Sequence, residues 1–196
     1  MKTNLLILFI ALTITSSAQK VEANFEVQFK GKGIGTLHAV DEKKEGSSLK
    51  DIRTQTDVKI IAMSIHVESE VESHYQDGVF VRGTSYREAN RGAEDIHAHV
   101  NKVGERKYER VRNGEKSVIE ELITTCVVDL FFAEPKGIEK VFSNMYAEFL
   151  KIEELSPGKY KLITPDNKDS YYTYRAGQLV MVETDTPLGT VVSRRI

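Results

Sequence analysis

The sequence predicts a mainly β protein in which a strongly curved antiparallel sheet or open barrel surrounds one central helix over residues 124–135. Three observations predict this fold class. Apolar and polar residues alternate over many short segments, turn signals separate the segments, and one dense apolar run interrupts them. Many short strands joined by tight turns are typical of antiparallel sheets. A closed lipocalin-like barrel is the main alternative to an open sheet.

The first 18 residues have the pattern of an export signal. Lys2 supplies a positive charge, residues 5–12 form an apolar segment, and small residues precede a cleavage position after Ala18. The apolar segment is shorter than the roughly 20 residues that a membrane span needs. A buried N-terminal helix is the alternative. We therefore expect a signal peptide over 1–18 and a single β-rich domain over 19–196 that is exported, soluble, and periplasmic or extracellular.

The composition excludes several classes of partner. The chain carries 27 basic and 29 acidic side chains, so we expect no concentrated basic face for nucleic acid. No second apolar stretch is long enough to span a bilayer, so contact with a membrane is peripheral at most. Cys126 is the single cysteine, and its apolar neighbours predict a buried, unreactive thiol rather than a nucleophile.

The first half of the chain is predicted to form a series of hairpins. Residues 25–30 alternate between apolar and polar side chains, which is typical of a strand with one buried face. Asp77-Gly78 and Asn113-Gly114 favour type I′ turns, which need positive φ at both central positions. Residues 41–48 are predicted to be a charged loop. The predicted strands cover residues 25–30, 34–40, 52–59, 61–75, 79–86, 96–103, 108–112 and 117–123.

The densest apolar run outside the N-terminus predicts the central helix. Thr124 or Thr125 would be the N-cap, because a threonine hydroxyl accepts a backbone N–H that a helix start leaves free. Pro135 would end the helix, since proline disfavours helical geometry in the residue before it. Periodicity alone does not separate so short a helix from a buried strand. Packed into the concave side of the sheet, the helix would bury both surfaces.

Turn signals separate short strands again in the last third of the chain. Residues 141–152 are compatible with either a helix or a strand, because their apolar spacing suits a helix at the start and an extended chain at the end. The predicted strands that follow cover residues 159–164, 170–175, 178–185 and 190–196.

Short motifs along the chain resemble those of a known family. The motifs are Phe25-Glu-Val-Gln-Phe29 with Gly33-Ile-Gly35, Leu130-Phe-Phe-Ala-Glu-Pro135, and Tyr172-Thr-Tyr174 followed by Gly177 and Glu183. This pattern resembles a family of small exported proteins of Bacteroidota that is known only as a domain of unknown function. More distantly, the order of strands, one helix and more strands is similar to periplasmic open-barrel proteins that include lipoprotein carriers. The first resemblance implies no catalytic residue, and the second implies only that the concave face holds an acyl chain.

The candidate binding residues are aromatic side chains in the helix and on a late strand. Tyr172 and Tyr174 are two residues apart, so they share one face of their strand. Tyrosine combines apolar area with a polar tip, which suits a lipid head group at the mouth of a cavity. Strand packing alone also favours aromatic residues, and this is the alternative. Together with Phe131 and Phe132, these tyrosines predict a non-enzymatic binding module for a lipid or other apolar ligand in the cell envelope.

Two other functions stay open. If the helix fills the sheet and leaves no cavity, the protein is a structural or protein-interaction domain whose partner the sequence does not identify. His97 and His99 share a strand face and could reach one metal ion, but the spacing selects no third ligand. The candidates for that third ligand are His38, His66, His74 and Glu94.

We expect no enzymatic activity. The chain lacks the Gly-x-Ser-x-Gly motif of the α/β-hydrolases. Its glycine-rich segment at residues 31–35 joins strand to strand, whereas a phosphate site needs a helix after the loop. The adjacent pairs Glu120-Glu121 and Glu153-Glu154 point to opposite faces of a strand, which does not suit paired acid–base chemistry. We therefore predict no catalytic residue, no metal ion and no cofactor.

Overall fold

The computed structural model describes residues 18–60, 63–91 and 93–196. The signal peptide predicted over residues 1–18 lies outside the described residues, apart from Ala18, and stays a prediction. Within the described part of the chain, no helix has the length and apolar character needed to cross a membrane.

In the residues that the structure describes, fourteen antiparallel strands form one sheet, which confirms the predicted fold class. The strands are β1 (Gln19–Phe29), β2 (Lys32–Lys44), β3 (Ser47–Ile60), β4 (Met63–Gln76), β5 (Val79–Ala89), β6 (Ile96–Lys102), β7 (Tyr108–Arg112), β8 (Glu115–Ile119), β9 (Lys140–Ser143), β10 (Glu148–Ser156), β11 (Lys159–Ile163), β12 (Ser170–Arg175), β13 (Gln178–Thr186) and β14 (Gly189–Arg195).

The sheet consists of two meanders that meet at β1 and β14. Strands β1 to β8 lie side by side in chain order, strands β9 to β14 do the same, and β14 pairs with β1. In this central pair, Phe25 lies opposite Arg195 and Phe29 lies opposite Val191. The outer strands β8 and β9 are not paired with each other in the described residues, so the sheet is open rather than a closed barrel.

Left-handed two-residue turns join neighbouring strands where the sequence predicts them. Asp77 and Gly78 have φ values of 50° and 76°, and Asn113 and Gly114 have φ values of 48° and 88°. Positive φ at both central positions defines a type I′ turn, whose twist matches that of the flanking strands. The two predicted hairpin turns are therefore confirmed.

The charged loop predicted over residues 41–48 is shorter than expected. Strand β2 continues to Lys44 and β3 begins at Ser47. Asp41 is buried, lies opposite Lys50 in the pairing of these strands, and has its Oδ2 3.8 Å from the Lys50 Nζ. Opposite charges on neighbouring strands favour their pairing, so these charged residues continue the sheet.

The central helix is also shorter than predicted. It is a 3₁₀ helix over Val127–Phe131 rather than a helix over residues 124–135. Its first two residues are β-branched valines, which lose side-chain freedom in a helix and shorten such runs. Pro135 follows within one turn and disfavours any extension.

The start of this helix is set by an aspartate and not by a threonine. The predicted N-caps Thr124 and Thr125 are wrong, because Cys126 holds the N-cap position. Asp129 lies three residues further on, and its Oδ2 accepts the backbone N–H of Cys126 at 2.6 Å. This contact is the carboxylate half of a capping box, which satisfies an N–H group at a helix start.

The helix packs inside the curve of the sheet, as predicted. The ring of Phe131 meets the rings of Phe25 on β1 and Tyr172 on β12 edge to face, with centroid distances of 5.6 and 6.3 Å. On the same side of the helix, Tyr174 donates a hydrogen bond to the Leu130 carbonyl at 2.6 Å. These contacts fix the helix across the seam between the two meanders.

Candidate ligand cavity

A cavity of about 400 Å³ lies inside the curve of the sheet, beside the 3₁₀ helix. Val127 and Val128 of the helix line one part of it. The exposed residues Arg91, Pro187 and Leu188 line another part, which is therefore the mouth. The volume lies in the range of roughly 300–1,000 Å³ that is typical of small-molecule sites.

The walls of the cavity are mainly aliphatic. They are formed by inward-facing positions of strands from both meanders, because alternate residues of each strand point to the concave side. The apolar side chains of these strands are Val27, Phe29, Ile34, Leu37, Ile52, Val58, Ile65, Val67, Val71, Leu150, Leu162, Tyr172 and Val191. Covering such a surface with an alkyl chain contributes about 25 cal/mol per Å² of apolar area.

Charged side chains gather near the mouth. Arg87, Arg91 and Lys168 contribute positive charges, and Asp185 contributes a negative charge. Lys168 forms an ion pair with Asp166 in the β11–β12 turn, at 2.8 Å. Positive charge therefore exceeds negative charge among the residues that line the cavity.

Arg87 is half-buried, and its hydrogen-bond partners in the described residues are uncharged. Its Nε donates to the backbone carbonyl of Glu94 at 2.9 Å, and its Nη1 contacts the Met145 sulfur at 3.5 Å. Burial lowers the pKa of Arg87, but a guanidinium stays protonated in proteins. The cavity thus contains a permanent cation whose remaining N–H groups have no carboxylate within ion-pair distance in the described residues.

One wall of the cavity is a turn that side chains from β7 hold in place. The turn between β9 and β10 carries Asn144, Met145 and Tyr146, all of which line the cavity. Arg112 donates to the Met145 carbonyl at 3.0 Å, and Arg110 donates to the carbonyl at the end of the same turn. Side chains therefore link the two meanders at a place where the strands are not paired.

A hydrogen-bonded carboxylate orders the turn next to the mouth. Asp166 Oδ1 accepts hydrogen bonds from the Tyr146 hydroxyl at 2.8 Å and from the Thr164 hydroxyl at 2.9 Å. Burial alone would raise the pKa of Asp166, but the hydrogen bonds from Lys168, Tyr146 and Thr164 outweigh it and lower that pKa. The charged carboxylate thus joins the β11–β12 turn to the β9–β10 turn.

The structure places the four predicted binding residues around the helix, but not all of them on the cavity. Tyr172 is among the lining residues, whereas Phe131, Phe132 and Tyr174 are not. Phe131 packs behind Tyr172, and Tyr174 is bound to the helix backbone. Phe132 lies beside Lys50, whose Nζ is 5.9 Å from the ring centroid. Whether these four residues bind a ligand stays a prediction.

The two histidines of the alternative metal hypothesis lie on the convex face. His97 and His99 are exposed on β6, while Ile96 and Ala98 of the same strand are buried. The ring of His97 meets the Tyr86 ring at 5.2 Å. In the ranges that the structure describes, no three His, Cys, Asp or Glu side chains are grouped so that they could hold a metal ion.

Sequence reasoning missed Arg87, because a β-bulge changes the side to which alternate residues point. In the β4–β5 pair, Phe80 lies opposite Tyr75 and Arg82 lies opposite His74, which leaves Val81 without a partner. The bulge moves the inward positions from even to odd numbers, and so turns Arg87 inward. The alternation of apolar and polar residues along the sequence does not indicate where such a bulge occurs.

The fold and this site define a protein with an open, almost entirely β architecture and a largely aliphatic cavity inside its curved sheet. Residues 25–196 match the model of a family described as Domain of unknown function (DUF6134), and the chain belongs to this family. Comparisons with curated proteins and with solved structures found no match.

Proposed function

We propose that this protein is an exported, non-enzymatic binding module that holds a lipid or other apolar ligand inside its curved sheet. The observation that carries the proposal is the cavity of about 400 Å³ with aliphatic walls next to the helix. A purely structural or protein-interaction domain gains nothing from such a cavity, because cavities in a protein core reduce its stability. The cavity therefore favours ligand binding over the structural alternative.

The size of the cavity suits an alkyl chain. If each methylene takes about the 30 Å³ that a water molecule occupies in the liquid, the space holds a chain of about 13 carbons. Each buried methylene contributes about 0.8 kcal/mol, so such a chain supplies up to about 10 kcal/mol. Part of this is lost to the ordering of ligand and protein, which leaves affinities in the micromolar range.

The cell envelope is the proposed location. The pattern of residues 1–18 supports export. Lipids and their breakdown products are abundant in an envelope, and a protein with a covered apolar site can hold them away from water. The proposal needs no catalytic group, because the aliphatic walls act by excluding water.

Native mass spectrometry tests this proposal. The protein is purified from the exported compartment of the cells that produce it, and its mass is measured before and after extraction with organic solvent. We expect an excess mass that disappears on extraction. A bare polypeptide mass, together with a failure of the extracted protein to take up any twelve-carbon amphiphile, would contradict ligand binding and favour a protein-interaction domain.

A further inference from the structure

The positive charges at the mouth of the cavity point to the chemistry of the ligand head group. Arg87, Arg91 and Lys168 line the cavity together with a single acidic residue, Asp185. Lys168 is already paired with Asp166 and Arg91 is exposed, so Arg87 is the half-buried cation of this group. A cation in a partly buried apolar site is unfavourable unless an anion pairs with it. The charge of these lining residues is therefore complementary to an anionic group.

Arg87 has the donors needed to bind such a group. A guanidinium carries five N–H donors in a fixed fork that matches a carboxylate or phosphate. In the described residues, one donor on Nε and one on Nη1 have protein partners, which are the Glu94 carbonyl and the Met145 sulfur. The remaining donors are free to bind a ligand at the cavity.

The nearby carboxylates of Glu94 and Asp166 attract Arg87, but among the described residues each forms its ion pair with another cation. Glu94 binds Arg112 through both carboxylate oxygens, at 2.8 and 3.4 Å. Asp166 is paired with Lys168 and accepts the Tyr146 hydroxyl. Asp185 accepts a hydrogen bond from Thr190 at 3.3 Å and lies on β13, in the other meander from Arg87.

The cavity also limits the number of chains in the ligand. Its volume of about 400 Å³ corresponds to about 13 methylene-sized groups of about 30 Å³, which matches one alkyl chain. A two-chain lipid would leave one chain in water, where its burial free energy is lost.

We propose that the ligand is a single-chain amphiphile with one anionic head group, a carboxylate or a phosphate monoester, and that Arg87 binds this head group at the cavity. This inference rests on the proposed function, since it specifies what the cavity holds. The chain lies between the aliphatic walls, and the head group faces the cationic mouth. Fatty acids and single-chain phosphate monoesters are the two sources of this chemistry.

Binding of matched amphiphiles to the extracted full-length mature protein tests the inference. The probes share a twelve-carbon chain and differ only in the head group: dodecanoate, dodecyl phosphate, dodecanol and dodecyltrimethylammonium. The charged probes are used below their critical micelle concentrations, and dodecanol is used below its solubility limit. We expect the preferred anionic probe to bind about 10-fold to 100-fold more tightly than dodecanol, and the cationic probe to bind most weakly. Preference between the carboxylate and the phosphate identifies the source.

Three variants assign the effect to Arg87. Arg87→Gln is expected to lower the affinity for the anionic probe about 10-fold or more without changing the affinity for dodecanol. Arg87→Lys is expected to retain part of the preference for the anionic probe over dodecanol. Arg82→Gln is the matched control, because Arg82 is exposed on the same strand and does not line the cavity.

Each contrary result has a separate meaning. Equal affinity of the wild-type protein for dodecanoate, dodecyl phosphate and dodecanol would overturn the head-group inference and leave the apolar site standing. An equal loss of affinity for charged and uncharged probes in Arg87→Gln would also overturn it. If none of the probes binds, the head-group inference fails, and the proposed function fails with it when the purified protein also has a bare polypeptide mass.

Discussion

The hydroxyl of Tyr75 donates a 2.5 Å hydrogen bond to Oδ2 of Asp129 and so connects strand β4 to the 3₁₀ helix. The same carboxylate accepts the backbone N–H of Cys126 and forms an ion pair with Lys50 on β3. Burial raises the pKa of Tyr75, so its phenol stays protonated and keeps donating. One aspartate thus caps the helix and fixes it to two strands.

Removal of this carboxylate should strongly reduce stability. We expect Asp129→Ala to lower the free energy of unfolding by about 3 kcal/mol, because it leaves Lys50 without its closest partner and removes the helix cap. Tyr75→Phe should cost only about 1–2 kcal/mol, since it removes one hydrogen bond. Urea unfolding followed by circular dichroism measures both, and equal losses in the two variants would contradict this assignment.

The single thiol should be unreactive in the folded protein. Cys126 is buried, and burial raises the pKa of its thiol, so the thiolate that reacts with disulfide reagents is scarce. We expect no reaction with Ellman's reagent at pH 8 in native buffer and one reactive thiol per chain in urea. Rapid labelling of the native protein would contradict this prediction and would show that the helix segment opens frequently enough to expose Cys126.

Two glycines of β2 should respond differently to alanine. A Cβ at Gly35 would lie 2.0 Å from the Gln55 carbonyl oxygen on the neighbouring strand, whereas a Cβ at Gly33 would meet only the end of the flexible Glu26 side chain. We expect Gly35→Ala to cost about 2–3 kcal/mol and Gly33→Ala to cost less than about 1 kcal/mol. Thermal unfolding of both variants checks this difference, and similar melting temperatures would refute it.

A tryptophan on the inner face should both fill the cavity and report on it. Thr54 lines the cavity, while Gln55 is exposed next to it on the other face of β3. The natural chain has no tryptophan, so each variant carries a single fluorophore. We expect Thr54→Trp to emit at shorter wavelength than Gln55→Trp and to weaken binding of a twelve-carbon amphiphile about tenfold, since its indole occupies the space for the chain. Unchanged affinity in Thr54→Trp would place the ligand elsewhere.

Acid should weaken the hydrogen-bonded contact between the β9–β10 and β11–β12 turns. The pKa of Asp166 lies below its ordinary value of 3.8, so ionisation of this group stabilises the folded state above about pH 4. That stabilisation is lost as the pH falls through the lowered folded-state pKa. Melting temperatures between pH 6 and pH 2 should fall less steeply in Asp166→Asn than in the wild-type protein, and parallel curves would show that Asp166 does not contribute.

Local signals in the sequence were sufficient for much of the sheet. Asp77-Gly78 and Asn113-Gly114 specify their turns within two residues, because few other pairs tolerate positive φ at both positions. Alternation then sets which side of each flanking strand is buried. These features need no information from distant parts of the chain.

The errors arise where particular side-chain contacts or pairing irregularities decide the local structure. Asp41 stays in a strand because Lys50 faces it, and the helix begins at Cys126 because Asp129 reaches back to its N–H group. The sequence-based choice of Thr124 or Thr125 relied on intrinsic capping preference, which such a contact overrides. Arg87 was missed because the bulge at Val81 reverses the alternation of β5.

The pairing of β14 with β1 has a consequence for how the molecule assembles. β14 comes after every other strand in the chain, yet its place is in the middle of the sheet, between β1 and β13. Contacts between segments so far apart close a long loop, and folding rates fall as such contacts increase. The protein is therefore expected to fold slowly, because its two half-sheets become one only when the last strand, β14, docks against β1.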